Sequence, residues 1–172
     1  MRNIILTTGF IVFSLLNGNA QVSSGTTFYV SEGTVVSIHT DFINKGKLKN
    51  EGVLHLAGDV TNEGGFISDG QIRLNGSNEQ KINSKKSLDI SELHLENNVE
   101  LQTPVSIQRK LTFDKGILKS TEQNPLIFTG GAIHEGLSDQ SHIVGVVEKQ
   151  AATNFEFPVG NGESQHAFWV EE

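Results

Sequence analysis

The side chains best suited to metal or acid–base chemistry are six histidines, and their spacing is examined first. None of them forms a His-x-x-x-His pair or the Glu-flanked pattern typical of zinc sites. The chain also has no cysteine, which excludes thiolate ligands, disulfides and a cysteine nucleophile. The sequence therefore predicts no metal or cofactor site at the histidines, which are His39, His55, His94, His134, His142 and His166.

A second candidate is the segment "SDQSH", Ser138 to His142, which holds the three residue types of a serine hydrolase triad. No Gly-x-Ser-x-Gly elbow accompanies it, and all three types crowd into one short loop, so we predict no catalytic role. Asp59, Asp69 and Asp114 lie near glycines, but the Gly-Gly-x-Gly-x-Asp calcium repeat is missing. These aspartates are interpreted as turn residues. No catalytic, cofactor-binding or metal residue is predicted, and the chain is expected not to be an enzyme.

The opening segment, residues 1–20, has the pattern of a secretory signal peptide. Arg2 precedes a mostly apolar stretch at 4–16, and Gly18 and Ala20 are the small residues expected before cleavage at Gln21. The apolar stretch is too short for a transmembrane helix, which needs about 20 such residues. We therefore expect an exported protein with no transmembrane span after cleavage, located outside the cell or on its outer surface.

The charge of the chain argues against a nucleic-acid partner. Without Arg2, 12 basic residues remain against 20 acidic ones, so the net charge is −8 with neutral histidines. The basic clusters, Lys45 with Lys47 and Lys49 and the pair Lys85 and Lys86, contain no aromatic residues and are interpreted as solvated surface. The expected partner is an unknown extracellular or surface molecule, either a glycan or a protein.

The elements that would position any site are indicated by a repeat. Glycine occurs at every sixth position from 46 to 76, and apolar residues follow the same interval, which is too short for a helix. A strand of three or four residues and a tight bend fit into six residues. We predict that these bends place Gly52, Gly64 and Gly70 at positive φ, where glycine meets no Cβ clash.

A longer, 18-residue period groups the six-residue units in threes. The triplets "VSI" at 36–38, "LHL" at 54–56 and "IRL" at 72–74 recur at this interval. Alternation in a strand would bury the outer residues of each triplet and expose the central ones, Ser37, His55 and Arg73. Stacked turns would then align Ile38, Leu56 and Leu74 in a buried ladder, with glycine, asparagine and aspartate at the corners. The sequence predicts an all-β fold, a parallel β-solenoid with one such period per coil and undetermined handedness; a series of independent hairpins is the alternative.

The repeat continues in the second half without its glycines. Apolar pairs recur every six residues between 93 and 113, and Pro104, which lacks an amide donor, is expected in a bend. The segment "PLIFTGGA", 125–132, is predicted to be the last rung, so the solenoid domain is placed at 21–128. "NFEF" at 154–157 and "HAFWV" at 166–170 are predicted strands of residues 129–172, which we interpret as a C-terminal cap or the start of a second β module.

A family resemblance accompanies this pattern. "SHIVGVVEKQ" and "NFEFPVGNG", following the strand-rich stretch from residue 80, resemble the repetitive region of secreted cell-surface proteins of Bacteroidetes-type bacteria. The resemblance covers about residues 80–162 and is most specific at "FPVGNG". It implies export by the type IX secretion pathway and a further C-terminal sorting domain. Because "ESQHAFWVEE" replaces the family's continuation, we expect a truncated member, which would be periplasmic if the sorting domain is absent.

Three functions are compatible with these features. The favoured one is a non-enzymatic structural or adhesive module, with the solenoid acting as a spacer. A carbohydrate-binding or carbohydrate-processing β-helix is the second, although Tyr29 and Trp169 are expected outside the repeat and would leave it without a sugar-stacking platform. A hexapeptide-repeat acyltransferase is the third and ranks last, because Lys49, His55 and Arg73 stand where that repeat has small or acidic residues.

Overall fold

A computed structural model describes residues 21–151 and 154–171, and within these ranges the chain is all-β with no helix. The predicted signal peptide, residues 1–20, lies outside the described residues. No described helix has the length and apolar character needed to cross a membrane. The prediction of a parallel β-solenoid with a short C-terminal β segment is confirmed, because parallel strands stack in about seven coils and are followed by one antiparallel strand pair.

The first six coils contribute strands to three faces of the solenoid, and the seventh contributes strands to the first two. The first face contains β1 (Gln21–Ser24), β4 (Asp41–Asn44), β7 (Val60–Asn62), β9 (Gln80–Ser84), β11 (Val99–Leu101), β13 (Leu118–Lys119) and β16 (Ile143–Val144). The second contains β2 (Thr27–Val30), β5 (Lys47–Asn50), the beginnings of β8 (Gly65–Leu74), β10 (Leu88–Leu95) and β12 (Val105–Phe113), then β14 (Leu126–Phe128) and β17 (Val147–Lys149). The third contains β3 (Val35–Ile38), β6 (Val53–Leu56), the ends of β8, β10 and β12, and β15 (Ile133–Glu135).

The pairing register shows where the predicted period holds. Asn44 of the second coil pairs with Asn62 of the third, 18 residues later. Asn62 pairs in turn with Ser84, 22 residues later. The interval is wider still where Leu118 pairs with Ile143. The predicted period is therefore confirmed, and individual coils vary around it by inserting residues at the corners.

The predicted apolar ladder forms the core along the third face. Ile38 pairs with Leu56, Leu56 with Leu74, and all three side chains are buried. The ladder continues through Leu95 to Phe113. The residues that alternate with these buried residues along each strand point outward, as the alternation of side chains in a strand requires. The inner ladders of the three faces meet in one continuous apolar core.

The predicted positive φ of Gly52, Gly64 and Gly70 is wrong, and the reason for the glycines is a close backbone approach. None of the three is among the positive-φ residues. A Cβ on Gly64 would collide with the carbonyl oxygen of Gly46 in the preceding coil, and one on Gly70 with that of Gly52. Stacked corners place one backbone directly on the next, so that only hydrogen atoms fit between them.

Buried asparagines at strand ends link successive coils. The side-chain amide of Asn44 donates to the Asn62 side-chain oxygen at 2.7 Å and to the Gly65 carbonyl at 2.8 Å. The Asn62 amide in turn donates to the Ser84 hydroxyl at 3.1 Å. The side-chain amides of this ladder are thus paired between coils, whereas the Asn44 and Asn50 side-chain oxygens are buried with no hydrogen-bond partner among the described residues.

The parallel coils continue beyond residue 128, where the sequence predicted the last rung. β15, β16 and β17 pair with β12, β13 and β14 respectively, so the solenoid extends to Lys149. The turn containing Gly130 and Gly131 connects two faces of the sixth coil rather than ending the stack. The predicted bend at Pro104 is confirmed, since this residue immediately precedes β12.

The C-terminal segment folds over the last coil. β18 (Asn154–Phe157) and β19 (Phe168–Glu171) pair antiparallel, and Phe155 packs on Phe128 with ring centroids 5.1 Å apart. Between them, the Pro158 carbonyl accepts from the Ile143 amide at 2.8 Å, and the Ile143 carbonyl accepts from the Gly160 amide at 2.9 Å. These contacts cover the C-terminal end of the core.

Candidate functional site

The third face presents a continuous row of outward side chains. Ser37, His55 and Arg73 occupy successive rungs, and His94, Thr112 and Glu135 continue the row. Adjacent strands lie about 4.8 Å apart, so side chains on neighbouring rungs are within contact distance. The fold thereby brings together ionisable groups that are far apart in sequence.

Arg73 is the centre of the densest cluster in this row. Its Nε donates to Glu96 Oε1 at 3.0 Å, and its Nη2 also contacts this carboxylate. The same Nη2 lies 3.5 Å from Asp114 Oδ2. His94 Nε2 is 2.7 Å from Asp114 Oδ2. The guanidinium therefore joins two carboxylates on different coils, and we name Arg73, His94, Glu96 and Asp114 the Arg73 cluster.

The hydrogen bonds determine the tautomer of His94. Its Nε2 lies close to both Asp114 Oδ2, at 2.7 Å, and Arg73 Nη2, at 3.3 Å. A nitrogen that donates to the carboxylate cannot also accept from the guanidinium, and the shorter contact is with Asp114. Nε2 therefore carries the proton, and the contact with Arg73 is one of proximity rather than a hydrogen bond.

Three members of the cluster have the ligand types of a metal site. One ligand atom each from His94, Glu96 and Asp114 lie within 4.8 Å of one another. The guanidinium of Arg73 already contacts both carboxylates, and it supplies the positive charge that a metal ion would otherwise provide. A cation could bind these ligands only after Arg73 moved away. The arrangement is therefore an ion-pair network.

His55 is the neighbour of this cluster on the preceding coil. Burial is the main cause that lowers the pKa of its imidazole, and the positive charge of Arg73 lowers it further. The opposing influence of Glu96 is smaller. His55 is thus held in its neutral form beside the guanidinium.

A second site is an open groove of about 500 Å³ along the corner between the second and third faces. Carboxylates from successive coils dominate its lining, together with one guanidinium that lies 2.7 Å from Glu92. Stacking of equivalent corner positions brings these side chains together. The charged lining residues are Glu32, Glu51, Asp69, Glu92 and Arg109.

Tyr29 lies at the rim of this groove, in β2 of the first coil, and not outside the repeat as predicted. Its hydroxyl donates to Glu51, and this hydrogen bond is the main cause that raises the pKa of Tyr29. Lys49 contacts Glu51 at 2.5 Å and lowers the pKa of that carboxyl, and its ammonium lies 5.2 Å from the centre of the Tyr29 ring. The ring face is thus occupied by a cation.

The segment Ser138 to His142 is placed at the C-terminal cap. His142 is fully buried, its Nδ1 donates to the Ser138 carbonyl at 3.2 Å, and its Nε2 accepts from the Gly162 amide at 3.0 Å. Asp139 Oδ1 accepts from the Gln165 amide at 3.1 Å. Backbone groups therefore use both ring nitrogens, and the histidine fastens the cap to the last coils.

The remaining candidates lie apart from one another. Asp59 accepts from the Lys81 amide at 2.8 Å and Asp69 lines the groove, while Asp114 belongs to the Arg73 cluster. His134 Nε2 donates to the Glu156 carbonyl at 2.8 Å. Sequence reasoning missed Glu96 and the link of Arg73 to His94. Both residues are the outward centres of their triplets, Arg73 in "IRL" and His94 in "LHL", but the 21 residues between them do not match the triplet interval, so their contact gave no signal in the sequence.

Comparisons with known proteins give no assignment: no protein-family model, no curated protein and no solved structure matches this chain. The resemblance to secreted Bacteroidetes-type surface proteins and the type IX pathway stays a prediction from "FPVGNG".

Proposed function

We propose that this chain is a non-enzymatic structural or adhesive module of an exported protein, with the solenoid serving as a spacer. The observation that carries this proposal is the uninterrupted stack of about seven parallel coils around one apolar core. At about 4.8 Å per coil, the stack holds its two ends about 30 Å apart. A stack of this kind keeps its two ends at a fixed separation, and this role does not require a ligand.

The outward charges support a structural role because they pair between coils. Lys85 contacts Glu63 at 3.4 Å, and Lys110 contacts Glu135 at 3.2 Å, each pair joining neighbouring coils. The Arg73 cluster does the same for the third, fourth and fifth coils. Each exposed pair contributes only about 0 to 1 kcal/mol to the free energy of unfolding. We therefore ascribe to the pairs together the role of fixing the register in which the coils stack.

Deletion of one coil tests the spacer. Strands of the second and third coils pair with a constant offset, which is 18 residues for both Asn44 with Asn62 and Asn50 with Ser68. Removal of residues 39–56 therefore joins Ile38 to Ala57 in register. We expect this variant to fold and to remain displayed on the cell surface. Its solenoid should be about 4.8 Å shorter, measured as the maximum dimension in small-angle scattering.

Removal of 39–50 is the matched control, because it breaks the register and should unfold the chain. Its failure to fold would show that the longer deletion is tolerated because a whole coil is removed, and not because the region is dispensable. Loss of display by the folded 39–56 deletion would contradict the spacer.

The groove favours one alternative, a carbohydrate-binding or carbohydrate-processing β-helix. Its carboxylates and Arg109 are groups that hydrogen-bond sugar hydroxyls, although Lys49 covers the adjacent aromatic ring. Incubation with a panel of polysaccharides, followed by measurement of binding and of released reducing ends, separates the two functions. The spacer predicts neither, whereas binding or release that disappears in Glu51→Gln and Arg109→Ala, and persists in Lys115→Ala, would overturn it.

A further inference from the structure

The two ends of the solenoid differ in how their apolar residues are covered. At the C-terminal end, the segment with β18 and β19 closes over the last coil, and Phe155 and Ile143 are buried. At the N-terminal end, β1, β2 and β3 each pair on one side only among the described residues. The N-terminal end therefore presents three edge strands of four residues each.

Three inward residues of the first coil are only partly covered, although Val30 and Ile38 of the same coil are buried. Val22, Phe28 and Val36 are half-buried, whereas the residues paired with them in the second coil are fully buried. Those counterparts are Phe42, Leu48 and Leu54, at 0 to 1% exposure. One inner ladder on each face, begun by Val22, Phe28 or Val36, thus ends in an apolar triangle that another layer of residues would bury further.

At the N-terminal end, backbone amides and carbonyls of the first coil face away from the second coil. The Ser24 carbonyl accepts from the Lys45 amide at 2.8 Å, so Ser24 points its backbone toward the second coil. Consecutive residues of a strand point to opposite neighbours, and Ser23 therefore directs its amide and carbonyl to the open edge. The same alternation applies in β3, where Ile38 accepts from Ala57 and Ser37 faces the opening.

Charge distinguishes this edge from the rest of the molecule. Glu32 is the single charged residue in 21–38, whereas residues 39–56 contain five. Proteins commonly protect exposed strand edges with lysines, prolines or bulges, and the first coil contains neither lysine nor proline. Residues 21–172, with a net charge of −8, would repel a second copy over most of their surface, but not at this end.

We propose that the first coil is a homodimer interface, in which the open edges of β1, β2 and β3 stack on the same edges of a second copy. A twofold axis perpendicular to the solenoid axis maps one face onto itself and exchanges the other two. The chain then runs in opposite directions around the two facing coils, so all three edges meet antiparallel partners of equal length. The dimer buries the apolar triangle and joins two solenoids end to end. The interface does not depend on the proposed spacer function.

The test measures the mass of the purified protein in solution by light scattering and sedimentation, with the N-terminus determined by intact mass. We expect a dimer. Val22→Lys should give a folded monomer, with a dissociation constant raised at least about a hundredfold, because its ammonium reaches solvent at the open end but not inside the dimer. Ile67→Lys is the matched control: it adds the same charge at an exposed position of the third coil and should remain dimeric.

A second variant keeps the proposal testable if Val22→Lys does not fold. Ser23→Pro removes an amide that faces the open edge and leaves the pairing of β1 with β4 intact, so it should also weaken the dimer. Amide exchange of Ser23 and Ser37 should be slow in the dimer and fast in the variants. A wild-type monomer with fast exchange, a monomer in which residues 1–20 protect these amides, or a dimer insensitive to both variants would each overturn the proposal.

Discussion

The first three coils and the last four stack their strands in the same way but differ in the residues at their corners. In residues 21–76 the corners are glycines whose backbones touch, and strands of the second and third coils pair at one constant interval. In residues 80–149 the corners use asparagine, proline and lysine as well as glycines that take positive φ, namely Gly116, Gly136 and Gly145, and the interval changes, since Leu88 pairs with Val105 but Leu118 with Ile143. Both halves retain the inner ladder. The difference teaches that alternation fixes the core, whereas corner chemistry decides how regular the coils are.

The largest effect should come from a substitution in the inner ladder, which both halves share. Leu56→Asp places an unpaired carboxylate in the ladder between Ile38 and Leu74, and its cost exceeds the roughly 1.5 to 3 kcal/mol of the lost leucine burial. We expect an unfolded or aggregated chain in circular dichroism and size-exclusion chromatography. His55→Asp, one residue away on the outer side, is the control and should fold. Equal damage at both positions would contradict the alternation.

The next prediction tests where the halves differ. Gly64→Ala forces a Cβ into the Gly46 backbone, which cannot rotate away, and should lower the unfolding free energy by about 1 to 3 kcal/mol. Gly131→Ala is the matched control in the second half, because no atom lies within 4 Å of its added Cβ. Thermal melts of both variants decide this. If both lost the same stability, the close approach would not be the reason for the repeat.

A smaller effect should show how a side chain stabilises one corner of the second half. The Lys149 ammonium donates to the carbonyls of Thr129 and Ala132, at 2.9 and 3.2 Å, and also to that of Gly130. Lys149→Met removes this donor from all three carbonyls, of which that of Thr129 still accepts from the Ala132 amide at 2.9 Å, and it should lower stability by about 1 to 2 kcal/mol in chemical denaturation. Lys115→Met, at an exposed corner, should change it little. If Lys149→Met left the stability unchanged, the turn would not depend on this side chain.

The smallest effect concerns the outward row that crosses both halves. Because burial and Arg73 lower the pKa of His55, the unfolded chain binds a proton at this residue before the folded chain does. Stability contributed by neutral His55 is complete above pH 6.5, the unfolded value, and decreases as the pH falls below it. Denaturation between about pH 8 and 5 should show a smaller decrease for His55→Gln than for the wild type. Identical slopes would argue against the desolvated site, and His39→Gln, at the exposed edge of the same face, is the control.

Much of the fold could be predicted because its cause is local. Period-two alternation and the repeat of the triplets suffice to align Ile38, Leu56 and Leu74, and they place Arg73 outward. The role of the glycines was harder, since a glycine requirement looks the same whether φ or a neighbouring backbone imposes it. The C-terminal limit of the coils was missed because inserted loop residues hide the last rungs.

The Arg73 cluster was inaccessible for another reason. A register shift between Ile90 and Glu92 interrupts the pairing of β10 with β8, and it places His94 at 21 residues from Arg73. The triplet interval of the first coils therefore does not locate His94 beside Arg73. Glu96 and Asp114 follow the ends of their strands, where alternation no longer predicts the direction of a side chain.

The unequal ladders between coils have a mechanical consequence. Hydrogen bonds between coils run along the solenoid axis, so a pulling force applied along that axis loads the coil interfaces in series. The fourth and fifth coils are joined by the seven-residue register of β10 with β12, whereas β13 and β16 share two residue pairs and β14 and β17 share three. In a series the weakest link yields first. Under tension, therefore, the sixth and seventh coils should part before the middle of the stack, and the C-terminal end limits the force that the solenoid can bear.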